Sequence, residues 1–316
     1  MRIGSLFSGC GALDLGLPGH TAWLCESDPH ARRVLEHRFP GTPILPDVRD
    51  TDALAAAGPV DMLAGGFPCQ DFSVAGKGAG FADGTRSALW FAYADAVRAL
   101  RPQLVFIENV PGIFGKVGGR AGESAFGTVI GDLAEAGYVG SWCSVRASDV
   151  GAPHRRERVF WLATDTRGAG TGRDVGAIPS TVQERTGVNV NVRAAVDGGA
   201  TPADADDRRE RRQHPGGRDT DGRDRPNVAW GTYEPAIRQW EAFLGRPAAR
   251  PTDDRGRLNP VFVEWMQGLP EGWVTDPDIG VSRTQQLRIL GNLCVPQQAA
   301  LAYRTLVATL AGMAAS

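Results

Sequence analysis

The sequence predicts an α/β fold, a doubly wound and mostly parallel sheet accompanied by a smaller, irregular region. Three observations carry that expectation. Over residues 1–163 short apolar runs alternate with amphipathic helical patterns, as in a parallel sheet with crossover helices. The first run enters a glycine-containing turn, Phe7-Ser8-Gly9-Cys10-Gly11, of the kind that lets a strand-to-helix junction approach a ligand. Near Asp165 the chain becomes rich in Gly, Asp, Arg and Thr and poor in apolar residues, so the sheet ends about there.

Taken in order, residues 3–7 read as the first strand and 22–25 as the second, followed by Ile44-Leu45, Met62-Leu63-Ala64 and Leu104-Val105-Phe106-Ile107. Val159-Phe160-Trp161-Leu162 closes the series. Residues 29–38 and 87–100 have helical spacing between strands,. The mixed-charge stretch 203–225 reads as a solvated insertion,. Apolar order resumes at Trp230 and runs through Tyr233, Ile237, Trp240, Phe243 and Leu244, which are expected to form the core of the small region, and residues 297–310 form a last helix.

The composition narrows the class. A chain of 316 residues, 42% hydrophobic and 22% charged, has the make-up of a soluble protein with room for one large and one smaller domain,. No apolar run reaches the roughly 18 residues of a membrane span, and the first residues run straight into a strand without a secretory leader,; an intracellular protein is expected. Cys10, Cys25, Cys69, Cys143 and Cys294 are scattered, with no C-x-x-C pair, which argues against a zinc site, a disulfide framework or any other metal centre. The net charge of −2 leaves a polyanionic partner open, because a local basic face can sit on a neutral protein,. Lys77 and Lys116 are the only lysines among the basic residues.

Chemistry concentrates in Gly66-Phe67-Pro68-Cys69-Gln70-Asp71-Phe72-Ser73, which follows the apolar run that ends at Gly65. A buried strand ending in a polar turn delivers a side chain at its carboxyl end, where open α/β sheets bind ligands. A buried, inert cysteine is the competing reading of Cys69 taken alone. In the first turn the spacing is not G-x-G-x-x-G and Asp14 stands at the helix start, poor company for a pyrophosphate, so an adenosyl cofactor without phosphates fits better. Glu26, after the second strand, is placed to accept from ribose hydroxyls, and Asp47, after the third, from an adenine amine.

Phe7-Ser8-Gly9-x-Gly11, Pro68-Cys69-Gln70-x-Phe72-Ser73, Glu108-Asn109-Val110, Arg155-Arg156-Glu157-Arg158 and Gly291-Asn292, in that order, resemble the motifs of DNA (cytosine-5) methyltransferases. The resemblance covers about residues 1–163 and 258–316, where Leu258-Asn259-Pro260-x-Phe262-Val263-Glu264-Trp265-Met266 is similar to the family's penultimate motif. It implies the Rossmann-like fold of S-adenosylmethionine-dependent methyltransferases. The implied division is 1–164 for catalysis and cofactor, 165–282 for target recognition, and 283–316 as a segment returning to the catalytic domain.

The implied reaction adds a Cys69 thiolate to C6 of a cytosine flipped out of duplex DNA, so that C5 can take a methyl group from S-adenosylmethionine. Glu108 would meet the N3/N4 edge of the base, and burial should raise its pKa. Arg156 and Arg158, two residues apart on a candidate strand, share one face and would hold the base and its backbone. Pro68, Gln70, Ser73 and Asn109 would also contact substrate. The cofactor would be held by Phe7, Ser8, Gly9, Gly11, Leu13, Glu26, Asp47, Val48, Leu89 and Asn292. His154 stands where the family more often has glutamine, Leu293 where it has a small hydroxyl residue, and Ala12 where it has glycine. The glycine-rich 75–86 loop suits a lid over DNA,.

The resemblance also implies a monomeric enzyme of a bacterial cytoplasm or a phage, with a cognate restriction endonuclease as a candidate partner. A transfer-RNA methyltransferase of the same superfamily is the nearest alternative, but its Cys-Phe-Thr signature is absent. A catalytically silent DNA-binding relative would have lost Cys69 or Glu108, and a dinucleotide oxidoreductase would need the missing glycine pattern.

Overall fold

A computed structural model describes residues 1–68, 89–115, 124–168 and 228–314. Cys69, Gln70 and Ser73, the 75–86 loop and the 203–225 stretch lie outside the described residues. Seven strands form one sheet: β1 (Arg2–Leu6), β2 (His20–Cys25), β3 (Ile44–Leu45), β4 (Met62–Gly65), β5 (Leu104–Asn109), β6 (Tyr138–Arg146) and β7 (Glu157–Asp165), in the order β3-β2-β1-β4-β5-β7-β6. The first five are parallel, whereas β7 runs antiparallel to both β5 and β6. The mostly parallel, doubly wound sheet expected from the sequence is therefore present, with an antiparallel hairpin at one edge.

The hairpin strand β6 is the element that sequence patterning does not announce. Tyr-Val-Gly-Ser-Trp-Cys-Ser-Val-Arg places glycine, serine and cysteine among its apolar residues, and seven of its nine positions are not buried. As an edge strand it needs no continuous apolar run. By contrast α2 (Pro29–Arg38) ends where the spacing says it should. Asp28 caps it by accepting from the N–H groups of His30 and Ala31, Pro29 occupies the first turn, and His37 and Arg38 face its negative end,.

Side-chain alternation sorts the sheet into two layers. Leu104 and Phe106 of β5 and Phe160 and Leu162 of β7 join one core with Ile3, Met62 and Tyr303. Val105, Ile107, Val159 and Trp161 join the other, with Trp90, Tyr93 and Val97 of α4 (Leu89–Leu100) and Val129 and Leu133 of α5 (Ala125–Glu135). The remaining helices are α1 (Ala12–Leu15), α3 (Thr51–Ala56), α6 (Glu234–Leu244), α7 (Pro260–Met266), α8 (Arg283–Asn292) and α9 (Pro296–Ala314). Helix α9 covers the first layer, where Tyr303 meets Phe106 edge-on at 5.9 Å and Phe106 stacks on Phe160 at 5.7 Å. Among the described residues no helix is long and apolar enough to cross a membrane.

The aromatic residues after Trp230 do not make a core of their own. Trp240 is fully buried and stacks on Phe243 at 5.0 Å, and Trp230 stacks on Phe262 at 5.7 Å. Trp240, Phe262 and Trp265 nevertheless belong to the same cluster as Ile3 and Tyr303, and Tyr233 is 62% exposed. Sequence spacing shows that a helix face is apolar but not what covers it.

The turn after α7 is organised around a buried carboxylate. Glu264, with no exposed surface, accepts from the N–H groups of Gly272, Val274 and Thr275 at 2.7, 2.7 and 3.0 Å and from the Thr275 hydroxyl at 3.1 Å. Burial pushes its carboxyl up, and these four donors pull it back toward the ionised form,. Glu264→Gln would turn an amide N–H₂ toward backbone donors, so it should lower stability by about 2–4 kcal/mol. Urea denaturation checks this, and an unshifted midpoint would show that the turn does not depend on the carboxylate.

Candidate active site

The carboxyl ends of β1, β2, β4 and β5 open into one cavity of about 760 Å³. It lies where the strand order reverses, with β2 and β3 on one side of β1 and β4 and β5 on the other, the place where open α/β sheets bind ligands. The last turn of α8 and the residue after it close the far side, with Gly291, Asn292 and Leu293 in the lining.

One wall is the turn after β1. Phe7 takes a left-handed conformation, φ 52°, which residues with a side chain rarely adopt,. Its ring stacks on Tyr93 with centroids 6.4 Å apart. The Ser8 hydroxyl donates to the Ser5 and Cys25 carbonyls and accepts from the Cys25 N–H, so it ties β1 to β2. Gly11, at φ 78°, sits where a Cβ would come within 2.5 Å of the Phe39 ring; it lets the turn pack on α2 and does not line the cavity. Asp14 is turned inward, accepting from Ser5 and Thr21 hydroxyls at 2.8 and 3.3 Å.

Glu26 projects into this wall from the end of β2. Its two oxygens accept from the Gly9 and Asp28 N–H groups at 2.8 and 2.7 Å. Burial raises its pKa above the ordinary value, against the pull of those hydrogen bonds. Each carboxylate oxygen has a second lone pair, so the group can still accept from a hydroxyl.

The opposite wall carries Glu108 and the arginines. Glu108 stands opposite Phe160 in the β5–β7 register, so Arg158 is its diagonal neighbour on the same face. The Arg158 Nε lies 2.6 Å from Glu108 Oε1, with both side chains largely buried. Burial pushes the Glu108 carboxyl up while Arg158 and Arg156 draw it down; the net shift is upward. Gly66 makes room for the pair, since a Cβ there would lie 2.4 Å from Glu108 Oε2. Asn109 spends its amide on backbone, donating to the Phe67 carbonyl at 3.2 Å and accepting from the Val110 N–H at 2.9 Å. It thus ties the Gly66–Pro68 turn to the end of β5. Pro68, the last described residue before Cys69, lines the same cavity.

This geometry is accompanied by a direct likeness. Residues 1–186 match the family of C-5 cytosine-specific DNA methylases. The chain belongs to that family. It is 40% identical over 171 residues to the Type II methyltransferase M2.BsuMI of Bacillus subtilis (strain 168), covering 52% of this chain and 42% of that protein. It is 35% identical over 158 residues to the Type II methyltransferase M.NgoBI of Neisseria gonorrhoeae, covering 49% of this chain and 48% of that protein. The chain spans about half the length of the curated relatives it matches. Among solved structures it resembles a prophage-encoded Escherichia coli protein described as a DNA modification methyltransferase, with a TM-score of 0.54, 19% identity and full coverage of both chains; that likeness concerns the fold.

Within this methylase-family chain the cavity gathers most of the residues singled out from the sequence. Phe7, Ser8, Gly9, Leu13, Glu26, Pro68, Leu89, Glu108, Asn109, Arg156, Arg158 and Asn292 all line it. Asp47 does not: its carboxylate is engaged by the Arg49 guanidinium, at 2.7 Å to Nη2. Val48 is buried in the core beneath. The sequence reading missed Asp28 and Arg288, which line the cavity and pair with each other across it. The Asp-Pro helix start at Asp28 was a usable signal, whereas nothing in the local pattern marks Arg288. Among the described residues no group of three or more histidines, cysteines or acids is arranged to hold a metal ion.

His154, the departure from the family's glutamine, is half-buried at the edge of the site. Its Nε2 is 3.2 Å from the Met266 carbonyl and its Nδ1 is 3.4 Å from the Arg156 N–H. Burial lowers its pKa to about 4, with Arg156 and Arg158 acting in the same direction. The neutral ring is therefore the folded form. A histidine whose folded pKa lies below its ordinary 6.5 takes up a proton more readily when unfolded,. Its penalty is absent above pH 6.5 and grows as pH falls toward 4. Relative to the parent, His154→Gln should gain stability progressively over that window and stay parallel to it above pH 7, as measured by urea unfolding against pH.

Proposed function

We propose that this chain methylates C5 of a cytosine in duplex DNA with S-adenosylmethionine, through a covalent bond between Cys69 and C6 of a flipped-out base. The observation that carries the reading is the Glu108–Arg158 pair, buried beside the turn that leads into Cys69. A carboxyl with an upward-shifted pKa next to two guanidinium groups can hold or donate a proton at N3 of the base while the arginines hold its polar edge and backbone. Proton donation there makes C6 a better acceptor for a thiolate, addition at C6 makes C5 nucleophilic toward the methyl group, and loss of the C5 proton then expels the thiolate from C6 and restores the ring. A base inside a duplex cannot reach a cavity at the strand ends, so extrusion follows, as for other methyltransferases.

The cofactor wall fits an adenosyl group without phosphates. Glu26 offers acceptor capacity for vicinal hydroxyls, Phe7 an aromatic surface, and the Phe7–Gly9 turn its backbone. Bound there, S-adenosylmethionine supplies an electrophilic methyl group. Residues 165–282 would choose the DNA sequence, and 283–316 would complete the cofactor side through Asn292. The Type II names of the relatives support a restriction-modification setting, with a cognate endonuclease as partner.

Cys69→Ala should abolish methylation, read by bisulfite sequencing of DNA from expressing cells. The parent, and not the variant, should form a covalent adduct with duplex DNA containing 5-fluorocytosine. Substantial activity in the variant would falsify the mechanism. Separately, Glu26→Ala should weaken S-adenosylmethionine binding by about 1–3 kcal/mol, the usual cost of losing hydrogen bonds to a charged group; unchanged affinity by calorimetry would remove Glu26 from the cofactor site.

A further inference from the structure

Four hydrogen bonds hold Arg156, three of them to other segments of the chain. Its N–H meets His154 Nδ1 at 3.4 Å. Its carbonyl accepts from Gln298 Nε2 at 2.9 Å and from the Ala147 N–H at 2.8 Å. Its guanidinium donates to the Gly291 carbonyl at 2.8 Å. Gln298 has no exposed surface; its Nε2 also donates to the Val145 carbonyl at 2.8 Å and its Oε1 accepts from the Val295 N–H at 3.1 Å. A buried amide with all three bonds made is rigid, and its loss would remove one donor from each of the Arg156 and Val145 carbonyls,.

His154 completes the clamp from the other side. The Met266 carbonyl requires a donor and the Arg156 N–H requires an acceptor. One species satisfies both, the neutral ring with its proton on Nε2. The imidazole thus joins the end of α7 to the Arg156 backbone with one donor and one acceptor, the same pair that a glutamine amide offers.

We propose that His154 is a positioning residue for the methyl transfer, fixing with Gln298 the backbone of Arg156 and thereby the row of Arg156, Arg158 and Glu108 that faces the base. This role rests on the reading of the cavity as a methyltransferase centre. Arg156 and Arg158 share a face of β7 and its entry, and Arg158 contacts Glu108 directly, so a shift of the Arg156 backbone moves the whole row.

The test compares His154→Gln, which keeps the donor and acceptor, with His154→Met, which keeps bulk and loses both. With duplex DNA, His154→Gln should retain kcat within about threefold, and His154→Met should lose kcat and the rate of 5-fluorocytosine adduct formation by about 10–100-fold, the scale of a small misplacement of catalytic groups. S-adenosylmethionine affinity should stay within about twofold in both, because the Phe7 and Glu26 wall is untouched. Equal activity of parent and His154→Met, equal loss in both variants, or failure of only His154→Met to fold would each overturn the role. A folded parent that neither methylates DNA nor forms the adduct would instead sink the functional reading, and the role with it.

Discussion

The site depends on one register. Because β7 runs antiparallel to β5 with Glu108 opposite Phe160, two rows of alternating residues lie side by side on one face of the sheet. On β5 the row is Leu104, Phe106, Glu108; on β7, read backwards, it is Leu162, Phe160, Arg158. Both rows are apolar until their last member, and the last members pair at 2.6 Å. A slip of one residue would send Glu108 to the opposite face, among Trp161 and Val159,. The apolar part of each row fixes the register, and the polar ends inherit their geometry from it.

Burial of that pair has opposing effects. A carboxylate removed from water loses hydration, which raises its pKa, and a guanidinium at contact distance returns part of the loss. In this chain desolvation wins for Glu108. An upward shift is unfavourable to an ion pair but suits a group that carries a proton, as the proposed reaction asks of Glu108,.

Much of this was legible before the structure. Residues 29–38 announced their helix by cap, proline and basic end, and 104–107 and 159–162 announced two strands by continuous apolar runs. Glu26 and Glu108 were singled out by the strands they follow, and Arg156 and Arg158 by the motif they resemble; all four line one cavity. Strand β6 was not, since an edge strand with glycine and serine carries little pattern. Nor was the fate of Asp47: its pairing with Arg49 is a contact two residues away that no strand-end rule foresees. Trp240 was read as a core residue correctly, but its neighbours Ile3 and Tyr303 are far away in sequence, and periodicity names a buried face without naming its partner.

Residues 266–280 are held by side chains of α2, of α9 and of the connection between β6 and β7. His154 meets the Met266 carbonyl, Gln297 donates to that of Gly268 at 3.2 Å, and Arg38 donates to those of Gly272 and Trp273. Arg33 reaches the carbonyl of Gly280 at 3.2 Å. Each of these bonds runs from a side chain of the frame to a backbone acceptor, and a carbonyl is present whatever residue stands there. Side chains at several of those positions are therefore released from the task of docking. What the frame demands of the segment is its path, and Glu264 holds that path by gathering three N–H groups onto one carboxylate.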